Sequence, residues 1–251
     1  MKLRAIFKGS FLFVFFSIAL LHFPSASLVN KSTGKIGRKN ISVSNTNSDR
    51  TVSLYYQMNL ASKGLSSDAF KKALIGYEKL KEQGALKNER LLTIVDFSKP
   101  SNEKRMFVLD LDAKKLLFNT WVAHGKNSGE KFAKKFSNKP ESLQSSLGFY
   151  STSDTYIGKH GYSLRLKGLE AGFNNYAEER AIVIHAADYV SEQFIHTKGF
   201  LGRSWGCPAL PQKLNKPIID CIKNGSCLFV YSSNDNYLKC SRLLNEHLGR
   251  G

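Results

Sequence analysis

Between residues 88 and 233 the chain is cut into short apolar or alternating runs, each closed by turn residues, and this pattern constrains the fold more than any other feature. The runs are LLTIVDF (91–97), KRMFVLDLD (104–112), KLLFNTWVAHG (115–125), SSLGFYSTSDTYIG (145–158), YSLRLKG (162–168), RAIVIHAA (180–187) and CLFVYSS (227–233). Segments of this length and alternation read as strands rather than helices. NKPIIDCIKNGS (215–226) is the exception, a short helix stopped by Asn224-Gly225. The expected fold class is mainly β with α+β character: a β-sandwich or curled mixed sheet with short helices. Residues 88–233 form its core domain.

The flanks read differently. Ala69, Phe70, Ala73, Leu74, Tyr77 and Leu80 recur at helical spacing, so an amphipathic helix is predicted over 68–83, capped by Ser67 and ended by Gly84. It anchors an N-terminal helical segment, 52–87, packed on the core. Residues 28–51 are rich in Ser, Asn, Thr and Lys and read as a flexible linker. Residues 234–251 read as a C-terminal tail with a weak helix.

The first 27 residues address the compartment. Lys2, Arg4 and Lys8 precede an apolar run of 13 residues, FLFVFFSIALLHF, and then the small residues of PSAS. This is the layout of a cleaved secretory signal. The run is shorter than the ~20 residues of a membrane span, so no stable span is expected after cleavage. The chain carries a formal charge of +17, and cleavage after Ser27 leaves 34 basic against 20 acidic residues, a net of +14. An exported protein of that charge meets anionic envelope polymers in the periplasm or cell envelope rather than nucleic acid. There is also no basic helix with interleaved aromatics and no Cys/His finger spacing. No His-Glu-X-X-His or compact His/Asp cluster is present, so neither a metal nor another cofactor is expected.

The chemistry concentrates in GRSWGCPALP (202–211). Pro208 drives Cys207 toward an extended conformation and favours a helical turn after it, which would lower the thiol pKa. The N–H groups of Gly206 and Cys207 are candidates for holding an oxyanion. His185, 22 residues upstream at the end of a predicted strand, is the candidate base. A backbone carbonyl or the Ser204 hydroxyl would orient its ring. His160 is a candidate for contacting substrate, His124 for lining the cleft and contacting substrate or for a structural rim role, and Trp205 for a wall of the site or ordinary core. His196 ranks below His185 because FIHTKG (194–199) reads as a mobile loop. The basic stretch KNSGEKFAKKFSNK (126–139) reads as a solvated face or a contact for anionic polymer. Cys221, Cys227 and Cys240 leave the disulfide question open, and the oligomeric state is silent in the sequence.

The stretch IHAADYVSEQFIHTKGFLGRSWGCPAL (184–210) resembles the signature of the YkuD-like murein L,D-transpeptidases, a strand-end histidine followed by Ser-X-Gly-Cys. His185, Ser204, Gly206 and Cys207 occupy those positions, and SSLGFY (145–150) and NGSCLFVY (224–231) resemble the family's flanking strands. The resemblance covers roughly residues 90–232 and points to a divergent branch, because Trp205 stands where histidine is usual, Ala209 where arginine is usual and Ala186 where glycine is usual. It implies an L,D-transpeptidase-like fold and a peptidoglycan stem tetrapeptide as substrate. Cys207 would attack the carbonyl of the third residue, with His185 as base and D-alanine as leaving group. It leaves Arg203 as a replacement for the missing anion-binding arginine. An amine acceptor makes the enzyme a transpeptidase; water makes it an L,D-carboxypeptidase. A basic wall-binding relative without catalysis is the alternative from another class.

Overall fold

The alternating runs become the strands of a mixed sheet. The computed structural model describes residues 44–245; the leader-like segment, residues 28–43 of the predicted linker and residues 246–251 lie outside it. The strands are β1 (Asn88–Asp96), β2 (Met106–Asp110), β3 (Lys115–Thr120), β4 (Gly148–Gly158), β5 (Gly161–Gly168), β6 (Val183–Ala186), β7 (Ala209–Leu210) and β8 (Ser226–Tyr231). They lie in the order β3-β2-β1-β8-β4-β5-β6-β7. The β1/β8 and β6/β7 pairs are parallel and the remaining neighbours antiparallel. Of the two architectures left open by the sequence, the mixed sheet with short helices is the one formed.

Strands β2 and β8 are buried along their whole length, which is why they read as continuous apolar runs rather than clean alternations. Helix α2 (Ser67–Glu82) packs against β1 and β8 through the apolar stripe seen in the sequence. Its cap is Ser66, one residue earlier than expected, whose hydroxyl accepts the Ala69 N–H at 3.2 Å. Gly76 lets α2 settle directly on the sheet: a Cβ there would sit 2.1 Å from the Phe149 ring. That ring in turn stacks on Phe229, with centroids 4.1 Å apart.

Four local readings change. Residues 44–51 belong to helix α1 (Ser44–Gln57) rather than to a linker. Their composition is polar, but the helix is held from its far end, where Leu54 and Met58 are buried and the Tyr55 hydroxyl donates to the Leu65 carbonyl at 2.6 Å. FIHTKG is no loop: it lies in helix α3 (Glu192–Lys198) and its left-handed cap Gly199. Helix α4 (Gln212–Ile222) starts before the predicted residue 215 and runs through Pro217, because burial of Ile218, Ile219 and Ile222 outweighs one lost backbone bond. The tail is docked through helix α5 (Asp235–Cys240): buried Glu170 accepts the Phe149 N–H and the Tyr237 hydroxyl, each at 2.8 Å, and the Ser241 hydroxyl. Among the described residues no helix is long and apolar enough to cross a membrane.

Candidate active site

The parallel pairing of β6 with β7 sets His185 opposite Ala209, two residues beyond Cys207. The thiol therefore lies back along β6, where Sγ accepts the Val183 N–H at 3.5 Å and donates to the Ala181 carbonyl at 3.7 Å. Cys207 is not at a helix edge as the sequence suggested; the two-residue β7 separates it from α4. With no helix terminus to favour the thiolate, burial dominates and pushes the half-buried thiol's pKa up. The Val183 N–H and the Arg180 guanidinium pull the other way.

The loop carrying Cys207 is clamped on both sides. Before it, the Ser204 N–H donates to the His124 carbonyl at 3.0 Å and the Lys126 N–H to the Ser204 carbonyl at 2.7 Å. After it, the Ala123 N–H donates to the Ala209 carbonyl at 2.9 Å. Gly206 holds φ at +131°, and a Cβ there would come within 2.8 Å of the Gln144 carbonyl, so this position requires glycine.

Ser204 belongs to this clamp and does not orient His185. Its hydroxyl donates to the Cys207 carbonyl at 2.6 Å and accepts the Gly206 N–H at 3.1 Å. The Gly206 N–H is thereby committed, which corrects its assignment to an oxyanion pair and leaves the Cys207 N–H beside its own sulfur.

His185 is 4% exposed, and its Nδ1 lies 2.9 Å from the Ala186 carbonyl. A donor at Nδ1 fixes the tautomer and leaves Nε2 as the acceptor, so the orienting group is the backbone carbonyl rather than Ser204. His160, in the β4–β5 turn, stacks on this ring with centroids 4.5 Å apart and planes 28° off parallel. The site thus holds a second imidazole despite Trp205 in the signature, brought by a hairpin 25 residues from His185. Burial lowers the His185 pKa, and the charge of His160 lowers it further against the Ala186 bond.

Arg180 was missed in the sequence. Its guanidinium donates to the Ser137 carbonyl at 2.7 Å, the Gln144 carbonyl at 2.6 Å, the Ser142 hydroxyl at 3.2 Å and the Ser146 hydroxyl. Those bonds hold it under the Gly206 turn, 3.3 Å from where a Gly206 Cβ would be. A charge at the foot of a strand has no periodic signature; its place five residues before His185 was the only clue.

The remaining candidates separate. His124 is fully buried between the Arg105 guanidinium, 2.8 Å from Nδ1, and the Gly129 carbonyl, 3.2 Å from Nε2. Burial and Arg105 hold its pKa down to about 3, so it is a neutral structural residue and not a wall of the cleft. Trp205 is 74% exposed and so is not core. The Arg203 guanidinium donates to the Gly129 carbonyl at 3.4 Å and lies 5.9 Å from the centre of the Phe200 ring. His196 is exposed in the last turn of α3. Cys221, Cys227 and Cys240 are unpaired, as is Cys207.

A thiol with an imidazole on the adjacent strand, the imidazole held by a carbonyl and a guanidinium beneath the thiol, has the parts needed for nucleophilic acyl transfer. The fold is a mixed eight-stranded sheet with these groups at one end of its strand order. The family model of the L,D-transpeptidase catalytic domain matches residues 61–231, and the chain belongs to that family. Curated proteins give no match. Among solved structures the chain is similar to an L,D-transpeptidase from Mycobacterium smegmatis, at 14% identity and a TM-score of 0.36 over 57% of this chain and 59% of that one. It is also similar to L,D-transpeptidases from Mycobacterium tuberculosis (13%, TM-score 0.33, 57% and 58% covered) and Xylanimonas cellulosilytica (13%, TM-score 0.33, 71% and 92% covered). The chain thus spans 59% of the length of the Mycobacterium smegmatis structure.

Proposed function

We propose that the protein is a peptidoglycan L,D-transpeptidase, exported to the periplasm or cell envelope, that uses Cys207 as its nucleophile. What supports this is the pairing that sets His185 opposite Ala209, two residues from Cys207, with Nδ1 occupied by the Ala186 carbonyl and Nε2 left to take a proton. Family membership supplies the substrate class, the stem peptide.

His185 Nε2 takes the thiol proton as sulfur attacks the carbonyl of the third stem residue. Negative charge passes to the carbonyl oxygen, where the Cys207 N–H donates to it and the nearby Arg180 charge favours it without a direct hydrogen bond. Collapse breaks the C–N bond, and the imidazolium returns its proton to the departing D-alanine amine. The thioester is then attacked by an amine, which forms the new peptide bond and restores the thiol. Because thiol and imidazole both rest neutral near pH 7, proton transfer accompanies attack rather than preceding it. Residues 1–27 and the mature charge of +14 support delivery to an anionic envelope.

The test is product analysis with tetrapeptide muropeptides, wild type beside Cys207→Ala. The reading requires D-alanine release by the wild type alone, with cross-linked dimers among the products. Tripeptides without dimers would identify an L,D-carboxypeptidase. No release from folded, reduced protein would leave a wall-binding relative. Full activity in the presence of a chelator is expected.

A further inference from the structure

Beside the nucleophile loop lies a second concavity that the mechanism does not use. It has a volume of about 420 Å³ and is lined by Lys126, Tyr189, Phe194, Lys198, Phe200, Gly202 and Arg203. Gly202 and Arg203 lead directly into the Ser204–Cys207 loop, and the Lys126 N–H is bonded to the Ser204 carbonyl. Tyr189, one of the lining residues, has its hydroxyl raised to about 12, chiefly by burial. The groove therefore adjoins the loop that carries Cys207.

Its chemistry is one-sided. Three cations and three aromatic rings line it, with no carboxylate among them. Lys126 and Lys198 are exposed, and no ion pair is formed by either or by Arg203 among the described residues. Helix α3 holds Phe194 and Lys198 in place: the Ser191 hydroxyl caps its start, and Gly199, at φ +80°, ends it. Gly202 is needed for the wall, since a Cβ there would lie 2.3 Å from the Tyr189 Cβ.

Cations without ion pairs beside aromatic rings suit an acidic peptide whose carboxylates meet the cations while its methylenes lie on the rings. We propose that this groove binds the internal carboxylates of the acyl-donor stem and so makes the protein selective for stems that are not amidated. The proposal rests on the stem-peptide reading given above. Three cations exceed what a single C-terminal carboxylate needs, which favours the internal ones. Arg203 thereby acts through the groove.

Binding decides this without turnover. Two synthetic tetrapeptide stems would be titrated by calorimetry into Cys207→Ala protein, one made with free internal carboxylates and one with the same carboxylates amidated. The same titrations would be run on the protein that also carries Lys126→Gln and Lys198→Gln, with circular dichroism confirming its fold. The free-acid stem should bind at least about tenfold more tightly than the amidated one, and the two lysine changes should remove most of that difference. Added salt should narrow it further. Equal affinity for the two stems, or a preference untouched by the lysine changes, would overturn the proposal. D-alanine release by the wild-type enzyme is scored separately, so failure of the acyl-transfer reading shows there and not in the stem preference.

Discussion

At the residue scale, the proposed mechanism sets two neutral groups against each other. Burial raises the Cys207 thiol while Arg180 lowers it. Arg180→Gln should therefore move the pH midpoint of thiol alkylation upward and reduce kcat/KM by roughly tenfold to a hundredfold. An unchanged midpoint would remove Arg180 from the site's electrostatics. His185 is displaced downward, so the base stays neutral and competent to a pH below the ordinary imidazole value of 6.5. The acid limb of kcat/KM should lie below that value and move up toward it in His160→Ala, which takes away both a covering ring and a like charge. A limb that stays put would make the stack merely structural. Cys207 and His185 were legible because each carries local punctuation, a Gly-Cys-Pro turn and a strand end. The His160 stack and Arg180 were not, since they arise from a hairpin and a loop whose placement only the sheet order determines.

At the scale of elements, the long buried strands and α2 were legible from periodicity, whereas short elements held by neighbours were not. Two-residue β7 has no period to read, yet it alters the reading of Cys207 by separating it from α4. Helix α3 did offer signals, Ser191 at its start and Gly199 after its end, which the reading of FIHTKG as a mobile loop passed over. The C-terminal helix depends on long-range bonds. Tyr237 is fully buried and donates to Glu170 at 2.8 Å. Tyr237→Phe should cost about 1.5–3 kcal/mol, the range for a hydrogen bond to a charged group. Urea denaturation measures this, and a change below about 0.5 kcal/mol would show that α5 is not stapled through Glu170.

For the whole molecule, the nucleophile loop is braced from beneath by a buried pair. Arg105 donates to the Val122 carbonyl at 2.9 Å and contacts His124, whose carbonyl holds Ser204. The unfolded chain protonates His124 near 6.5, the folded one only near about 3. The unfolded state therefore binds more protons between those values, so this stabilisation is whole above 6.5 and is lost as pH falls toward about 3. The slope is up to about 1.4 kcal/mol per pH unit. Wild type should lose more stability from pH 7 to 4.5 than His124→Gln; equal losses would place the acid sensitivity elsewhere. The central claim, that Cys207 carries the acyl group, is tested most directly by intact-protein mass spectrometry after acid quenching of enzyme mixed with a stem tetrapeptide. The account predicts an adduct of the tetrapeptide less D-alanine, mapped to Cys207 and absent from Cys207→Ala. D-alanine release that persists in Cys207→Ala, with no adduct on the wild type, would contradict it.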